Sequence, residues 1–305
     1  MPHKLVTILG PTAVGKTAFA VKLADKFNGE IISADSRQVY KRMDIGTGKD
    51  ISDYILGAKT IPVHLIDLLE PADEYNLFSF IKDFNTVFSD IIKRNKLPFL
   101  VGGTGMYLNS ALKKYSLKKG DFNSERKAEL EKLSDDELRE LFLYYEPIPH
   151  DTTDVKYRER MITSILIHES KEGNGLTIAE DFDSLVIGVS DERAEIKKRI
   201  TARLKKRLNE GMIDEVRLLL DEGVPVERLK RFGLEYRFVT QFLLGELNYN
   251  DMYQKLNSAI HKFAKRQMTW FRKMEREGVE INWMKNHEFE KAENLIAAFL
   301  NGHDE

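Results

Sequence analysis

The chain of 305 residues contains no cysteine, which excludes a disulfide framework, a zinc ribbon and a thiol nucleophile. It has no apolar run approaching about 18 residues and no leader-like start, so we expect a cytoplasmic protein without a membrane span or signal peptide. The formal net charge is only −2, so overall charge indicates no polyanionic partner and basic regions must be sought locally. With 42% hydrophobic residues, the chain can form one large domain, or a core with a smaller domain.

The stretch Gly-Pro-Thr-Ala-Val-Gly-Lys-Thr over residues 10–17 fits the phosphate-loop pattern. The apolar residues 5–9 before it predict a buried strand, and residues 17–24 after it have apolar side chains at helical spacing. The loop N–H groups and the helix N-terminus would face an anion, while Lys16 adds a positive charge and Thr17 offers a hydroxyl to Mg²⁺. The alternative is a glycine-rich turn without a ligand, but the agreement of loop and flanks favours a di- or triphosphate site.

Strands and helices alternate along the first third of the chain, which predicts an α/β fold with a parallel sheet and right-handed crossovers. The predicted strands cover residues 30–34, 62–68 and 98–101, and the predicted helices cover residues 78–94 and 106–112. In such sheets, ligands bind beyond the carboxyl ends of the strands. The polar segments 35–38 and 102–105 follow two of these strands, so we expect them to form one site with the phosphate loop.

A change of character near residue 116 predicts a mostly helical insertion over residues 116–184, mounted on a core of residues 1–115 and 185–305. In the insertion we expect an amphipathic helical segment over residues 121–145 and a helix over residues 155–169. The core would then continue with a strand at 185–189, helices at 193–208, 213–220 and onward to about 274, a strand at 280–283 and a closing helix at 288–300.

Asp35 follows the second predicted strand and has three roles open to it: general base, Mg²⁺ ligand, or N-cap of a following helix. Ser36 and Gln38 add hydrogen-bonding groups beside it, and Thr104 places a hydroxyl in a glycine-rich turn. Asp67, at the end of an apolar run, is a weaker candidate for the Mg²⁺-binding aspartate of phosphate-loop nucleotidases. Sequence order alone does not decide between these roles.

Two segments of the second half, residues 193–208 and 261–276, are strongly basic. The charged side chains of such helices usually just face solvent. In residues 261–276, however, basic and aromatic residues alternate, and the spacing of Phe263, Trp270 and Met274 predicts a core seam flanked by positive charge. A basic face beside aromatic side chains suits a nucleic-acid backbone, which makes this segment a candidate RNA-binding surface.

Several motifs together resemble the tRNA dimethylallyltransferase family of the bacterial type, also called tRNA isopentenyltransferases. Besides the phosphate loop, the matching segments are residues 32–40 (Ile-Ser-Ala-Asp-Ser-Arg-Gln-Val-Tyr), 43–47, 64–67, 102–107, 211–216 and 264–272 (Ala-Lys-Arg-Gln-Met-Thr-Trp-Phe-Arg). They occur in family order and cover nearly the whole chain. The resemblance implies a phosphate-loop nucleotidase-like core that holds dimethylallyl diphosphate with Mg²⁺. It implies transfer of the prenyl group to the exocyclic amine of the adenosine 3′ of the anticodon in tRNA, with release of pyrophosphate.

The resemblance also implies roles for individual residues. Catalysis would involve Asp35 as general base, Thr104 near the reacting amine, and Lys16. The diphosphate would be bound by Gly10, Thr12, Ala13, Val14, Gly15, Lys16, Thr17, Arg199 and Arg203, with Thr17 also the metal ligand. The tRNA would be bound by Asp35, Ser36, Arg37, Gln38, Thr104, Arg126, Arg160, Tyr236, Arg237, Lys265, Arg266, Gln267, Trp270 and Arg272. The insertion would close on the anticodon stem-loop, and we expect a monomer with no obligate protein partner.

The chain departs from the family pattern mainly in the insertion. Tyr157 stands where the family has an arginine, although Arg158 is adjacent, and Thr163 stands where a glutamate is usual. Glu235 replaces the glycine of the family's Gly-Tyr-Arg. These differences bear on tRNA specificity more than on the chemistry.

Two other function classes share part of the pattern. A nucleoside or small-molecule kinase would also have a phosphate loop, an aspartate base and an arginine-bearing helical lid. The basic and aromatic C-terminal segment argues against a kinase, since a small metabolite needs no such surface. An RNA-binding GTPase-like switch would need a guanine-reading Asn-Lys-x-Asp segment after a strand, and the sequence has no clear one.

Overall fold

The structure is a computed structural model, and it describes residues 2–115, 117, 124–147, 158–169 and 176–302. The chain divides into two units, the first formed by Met1–Lys113 with Ala179–Glu305 and the second by Lys114–Ile178. The first unit carries the β-sheet and the second is helical in its described part. Within the described residues, no helix is long and apolar enough to cross a membrane.

A six-stranded parallel sheet forms the centre of the first unit, as the alternation of strands and helices predicted. Its strand order is β5-β2-β6-β1-β7-β8, and β3 and β4 pair separately as a short antiparallel hairpin. The strands are β1 (His3–Leu9), β2 (Gly29–Ala34), β3 (Ile55–Leu56), β4 (Lys59–Thr60), β5 (Val63–His64), β6 (Leu97–Gly102), β7 (Phe182–Val189) and β8 (Asn282–Met284).

Three neighbouring strands end at the same level of the sheet. Leu9 at the end of β1 pairs with Gly102 of β6 and with Gly188 of β7, and Gly102 also pairs with Ala34 at the end of β2. Five consecutive residues of β1 are buried, so both faces of this strand are covered, as expected for a central parallel strand. The register therefore brings the segments that follow β1, β2 and β6 to one edge of the sheet.

The helices of the first unit connect the strands and then continue as a C-terminal helical layer. They are α1 (Lys16–Lys26), α2 (Leu77–Lys93), α3 (Gly105–Leu112), α7 (Arg193–Asn209), α8 (Met212–Asp221), α9 (Val226–Arg231), α10 (Leu234–Leu243), α11 (Tyr249–Arg276) and α12 (Phe289–Asn301), with a 3₁₀ helix at Ile51–Tyr54. The helices of the second unit are α4 (Ser124–Lys132), α5 (Asp135–Tyr145) and α6 (Arg158–Glu169).

The prediction of a strand over residues 62–68 is wrong beyond its first residues, because only Val63–His64 pair with β2. Leu65 and Asp67 have φ angles of 62° and 52°, a left-handed conformation that interrupts a strand. The Asp67 N–H donates to the carbonyl oxygen of Gln38 at 3.1 Å. This segment therefore turns away from the sheet and packs on the loop that follows β2.

The helical segment predicted over residues 121–145 is two helices, α4 and α5. Ser134 breaks it, because its side chain accepts from the N–H of Glu137 while the Glu137 side chain accepts from the N–H of Ser134. This capping box starts a new helix. Leu130, Leu138 and Phe142 are buried with residues of α6 in a small core of this unit. Of the helix predicted over residues 155–169, the first three residues lie outside the described part.

Leu117 and Leu176 form an isolated antiparallel bridge within the second unit, each N–H donating to the other's carbonyl oxygen at 2.8 Å. One residue lies near the start of this unit and the other near its end. The bridge therefore joins the two ends of the insertion.

The core seam predicted for α11 is displaced around the helix. Ala264, Gln267, Phe271 and Met274 are buried, whereas Phe263 and Trp270 are only half-buried. The predicted spacing of seven and four residues selected the aromatic side chains, but the buried stripe includes an alanine and a glutamine. A buried glutamine gives no hydrophobic signal in the sequence.

Candidate active site

A pocket opens at the carboxyl edge of the sheet, where the phosphate loop meets the segments that follow β2 and β6. Helix α7 adds Arg203, and α11 adds Phe263 and Gln267. The rest of the lining comes from residues within 12–18, 33–38, 47–54 and 101–103. Strand order had predicted that the three polar segments meet, and the structure brings them together here.

The phosphate loop has backbone conformations that leave N–H groups for a ligand. Gly10 has φ 155°, and a β-carbon there would lie 2.1 Å from the carbonyl oxygen of Val189, so only glycine fits. Gly15 has φ 84° and is the N-cap of α1, with no side chain capping the helix. The first N–H groups of α1 therefore remain available to an anion. Val14 is buried, and its side chain is not part of the pocket wall.

Two cations lie beside this loop. Lys16 Nζ donates to the carbonyl oxygen of Pro11 at 2.7 Å, and Arg203 Nη2 donates to Thr12 Oγ1 at 2.5 Å. Desolvation, together with the charge of Arg203 and against the attraction of Asp35, lowers the pKa of Lys16 to about 7. Desolvation also lowers the pKa of Arg203 to about 10. An anion bound beside these groups would favour the charged form of Lys16 and pair with the positive charge of Arg203, so the pocket suits a diphosphate.

Asp35 stands at the end of β2 and lines the same pocket. Its Oδ1 accepts from the N–H of Arg37 at 3.0 Å, and no helix follows it, because residues 36–39 form turns. The interpretation of Asp35 as a helix N-cap is therefore wrong. Arg37 pairs with the buried Glu235 at 2.9 Å, lies 5.7 Å from the ring centre of Phe263, and also lines the pocket.

Thr104 and Gln38 flank Asp35. Thr104 Oγ1 accepts from the N–H of Ser36 at 3.3 Å, which ties the turn after β6 to the turn after β2. Gln38 Nε2 donates to the carbonyl oxygen of Gly48 at 3.3 Å, and its Oε1 accepts from Ser33 Oγ at 3.4 Å. The Thr104 hydroxyl is therefore hydrogen-bonded to the backbone of Ser36, the residue that follows Asp35.

Two residues predicted to bind tRNA are buried and hydrogen-bonded within the protein, Tyr236 outside the pocket lining and Gln267 in the pocket wall. Tyr236 is fully buried, and its hydroxyl donates to Glu215 Oε1 at 2.7 Å. Gln267 is 8% exposed and uses both amide atoms on backbone groups, the N–H of Thr12 and the carbonyl of Gly103. Both side chains hold the walls of the pocket.

The remaining predicted tRNA-binding residues of the first unit lie on exposed helix faces. Arg237 is exposed on α10, and Lys265, Arg266 and Arg272 are exposed on α11. Trp270 is half-buried, with Lys273 Nζ 5.2 Å from its ring centre. The helix therefore presents a basic surface beside the pocket.

Arg199 does not reach the pocket, although it was predicted to bind the diphosphate. Its Nη2 pairs with Asp191 Oδ2 at 2.6 Å, and the residue is absent from the pocket lining. Arg203, one helical turn later on α7, lines the pocket instead.

In the second unit, Arg126 is held by carboxylates of its own helices. Its Nε and Nη2 donate to Glu169 at 2.8 and 2.7 Å, and its Nη1 donates to Glu129 at 2.9 Å. Hydrogen bonds to these two glutamates raise the pKa of Arg126 above its ordinary value. Arg160 is exposed on α6, and the Thr163 hydroxyl donates to the carbonyl oxygen of Glu159 at 2.8 Å. Tyr157 lies outside the described residues.

Comparison with known proteins agrees with this arrangement. The family model described as IPP transferase matches residues 38–274, and the model described as isopentenyl transferase matches residues 3–67. The chain belongs to the IPP transferase family. It is 53% identical to tRNA dimethylallyltransferase 2 of Syntrophotalea carbinolica, over 93% of this chain and 95% of that protein. It is 49% identical to tRNA dimethylallyltransferase 1 of Geotalea uraniireducens, over 93% of each.

Solved structures of the IPP transferase family share the fold. The full-length tRNA isopentenylpyrophosphate transferase of Bacillus halodurans matches with a TM-score of 0.68 and 30% identity, over 97% of this chain and 96% of that one. A eukaryotic dimethylallyltransferase, whose structures are described as snapshots of it acting on tRNA, matches with a TM-score of 0.68 and 26% identity. That match covers 88% of this chain and 69% of the eukaryotic one.

Sequence reasoning missed part of this IPP transferase pocket. Asp53 and Tyr54 line it from the 3₁₀ helix and Asp50 from the position just before that helix, in a segment with no recognisable strand or helix signal. It also gave no role to Glu215, although the motif over residues 211–216 contains it. Glu215 accepts from the N–H groups of residues 44, 45 and 46 at 2.8, 2.7 and 2.9 Å, and so anchors the loop that leads to Gly48.

The residues of the pocket fit a magnesium ion that arrives with a diphosphate. Among the described residues, no group of three or more His, Asp or Glu side chains could form a metal site by itself. Mg²⁺, however, is commonly held by substrate phosphate oxygens, waters and one or two protein oxygens, which the Thr17 hydroxyl can provide. Asp67 is not a candidate, because its Oδ1 pairs with the buried Lys49.

Proposed function

We propose that this member of the IPP transferase family transfers a dimethylallyl group from dimethylallyl diphosphate to tRNA, releasing pyrophosphate. The observation that carries the proposal is one pocket lined by a phosphate loop, two desolvated cations and the carboxylate of Asp35. The acceptor would be the exocyclic amine of the adenosine 3′ of the anticodon. Support comes from relatives named tRNA dimethylallyltransferase at about half identity over nearly the whole chain.

The cationic side of the pocket would bind the diphosphate and stabilise it as a leaving group. Loop N–H groups, Lys16 and Arg203 would carry the negative charge that grows as the carbon–oxygen bond breaks. Thr17, with the diphosphate oxygens, would hold Mg²⁺, which supplies further positive charge to the leaving group when bound. Binding energy spent on this growing charge lowers the barrier rather than only tightening substrate binding.

Asp35 would act as the general base. The adenine nitrogen forms a bond to the first prenyl carbon, the bond from that carbon to the diphosphate oxygen breaks, and its electron pair leaves with pyrophosphate. The proton released by the amine passes to the Asp35 carboxylate. A positioned base of this kind contributes about 10²–10⁴-fold. Ser36, Gln38 and Thr104 would hydrogen-bond the adenine, which must leave its stack in the RNA to reach the pocket.

The tRNA would dock on the basic faces beside the pocket. Arg237, Lys265, Arg266 and Arg272 are exposed there, and a phosphate backbone would be attracted to them. The helical insertion, which is the second unit (Lys114–Ile178), would close on the anticodon stem-loop through residues such as Arg160 and Arg126. The comparisons give no support to the kinase alternative, since the matched relatives are named for prenyl transfer to tRNA.

The test is a prenylation assay with unmodified tRNA, dimethylallyl diphosphate and Mg²⁺, followed by digestion and mass spectrometry of the nucleosides. We expect an adenosine heavier by one dimethylallyl group, and a loss of about 10²-fold or more in the rate with Asp35→Ala. Asp90→Ala removes an exposed carboxylate of α2 and serves as the matched control. Absence of product with any tRNA, together with ATP turnover on a small acceptor, would refute the proposal.

A further inference from the structure

Gln267 is a buried amide on α11 whose two polar atoms are both used inside the protein. Its Oε1 accepts from the N–H of Thr12 at 2.9 Å, and its Nε2 donates to the carbonyl oxygen of Gly103 at 3.0 Å. An N–H can only donate and a carbonyl can only accept, so these partners fix the orientation of the amide. One side chain therefore joins the phosphate loop to the turn after β6.

On the phosphate-loop side, Gln267 holds a peptide group that Lys16 also holds. The Thr12 N–H belongs to the same peptide as the Pro11 carbonyl, and Lys16 Nζ donates to that carbonyl at 2.7 Å. The peptide is thus fixed at both ends, by an amide oxygen and by an ammonium. If Gln267 released the N–H, the peptide could rotate and move the resting position of Lys16.

The second partner of Gln267 is equally constrained. The Gly103 carbonyl belongs to the same peptide as the Thr104 N–H, which donates to the carbonyl oxygen of Ala34 at 3.3 Å. A β-carbon on Gly103 would lie 2.5 Å from Gln267 Nε2, so any larger residue there would displace the Gln267 amide. Gly105, on the other side of Thr104, would meet Trp270 at 2.0 Å in the same way. The turn that carries Thr104 therefore packs closely against α11.

We propose that Gln267 is a positioning residue that sets the phosphate loop and the Thr104 turn at one fixed separation. The effect on catalysis rests on the proposed function, because the loop would hold the diphosphate and the turn would hold the reacting base. Displacements of about 1 Å between reacting groups can cost 10²-fold in rate. Gln267 lies on the same helix as the exposed Lys265 and Arg266, so the element that would face tRNA also sets the catalytic geometry.

Two substitutions separate this role from general packing. Gln267→Met keeps the length of the side chain and removes both hydrogen bonds. Gln267→Glu keeps the shape, and the introduced carboxyl can reproduce both hydrogen bonds only when it is protonated, with O–H toward Gly103 and the other oxygen toward Thr12. Gln254→Met, on an exposed face of the same helix, is the matched control. The measurements are pyrophosphate affinity by titration calorimetry, kcat for tRNA prenylation, and unfolding midpoint.

We expect Gln267→Met to lower both pyrophosphate affinity and kcat by about tenfold or more, since two buried backbone groups lose their partner. For Gln267→Glu, the ratio of variant to wild-type values should recover on acidification, by up to about tenfold per pH unit while the carboxyl is titrating. Gln254→Met should change neither value. A packing role alone would leave the uncharged Gln267→Met near wild-type values, because methionine fills nearly the same space.

A pH-independent ratio for Gln267→Glu would overturn the proposal, and so would wild-type affinity and kcat in a folded Gln267→Met variant. If Gln267→Met does not fold, a pH-independent ratio for Gln267→Glu still refutes the proposal. The pyrophosphate measurements do not need turnover. If the wild-type protein failed to prenylate tRNA, the proposed function would fall, while the link between Gln267 and the phosphate loop would still be tested.

Discussion

Raising the pH above neutrality should weaken pyrophosphate binding through Lys16. In the free protein, desolvation and the neighbouring Arg203 lower the pKa of this ammonium to about 7. A diphosphate beside it would favour the charged form and raise the pKa in the complex. Binding above about pH 7 must then take up a proton, and affinity must fall as the pH rises from the pKa of the free protein toward that of the complex.

The size of the effect follows from the charged fraction of Lys16. With a pKa of about 7, about half of the free molecules carry the charge at pH 7 and about one in a hundred at pH 9. If only the charged form binds, affinity falls by up to about fiftyfold over this range, which is about 2.3 kcal/mol. The loss approaches tenfold per unit at the upper end of the range.

Titration calorimetry of pyrophosphate at about pH 7, 8 and 9 measures this slope, and buffers of different ionisation enthalpy count the proton taken up. Lys16→Arg is the control, because a guanidinium stays charged throughout the range. Titration of the ligand itself is the same for both proteins, so the difference between their slopes isolates Lys16. Equal slopes and equal proton uptake in the two proteins would refute the reasoning.

Three further predictions concern other parts of the chain. Glu215→Ala should lower the free energy of unfolding by about 3 kcal/mol in urea titrations, because three backbone N–H groups lose their acceptor, whereas the exposed Glu210→Ala should cost under about 0.5 kcal/mol. Replacing Lys265 and Arg266 together by alanine should weaken tRNA binding and lower its salt slope by about 2, with pyrophosphate affinity unchanged; an unchanged slope would contradict RNA contact at this face. Phe142→Ala should destabilise the insertion by about 3–5 kcal/mol, measured by hydrogen exchange, because it leaves a cavity in the small core of that unit. It should reduce tRNA prenylation and leave pyrophosphate affinity unchanged. Full prenylation with an unfolded insertion would contradict the proposal that the insertion closes on the anticodon stem-loop.

The sequence was most informative where local pattern and tertiary structure agree. The phosphate loop and its flanking strand and helix lie where the pattern predicts, because a short apolar run that ends at a glycine suits a strand covered on both faces, and the glycines of the loop have φ angles that favour glycine. That residues 35–38 and 102–105 lie close together followed from their position directly after two strands of a parallel sheet. These features depend on rules that act over a few residues or on the parallel topology of the sheet.

The errors arose where long-range contacts decide. The left-handed turn at Leu65 and Asp67 follows an apolar run that resembles a strand, and its cause is packing on the loop after β2. Tyr236 and Gln267 carry polar atoms that suggest a surface, but their partners are a glutamate 21 residues earlier and backbone groups 255 and 164 residues away. No local pattern reports such partners, so the sequence could not show that these side chains connect distant parts of the protein.

The bridge between Leu117 and Leu176 holds the two ends of the insertion together. Leu117 and Leu176 are hydrogen-bonded to each other, so the chain between them forms a closed loop. The entropic cost of closing such a loop grows only slowly with the number of residues in it. Material beyond the bridge can lengthen, shorten or be exchanged while β1 keeps its register on β7. On the proposed function, in which the insertion contacts tRNA, changes in this segment would alter tRNA selection without altering the residues proposed for the chemistry.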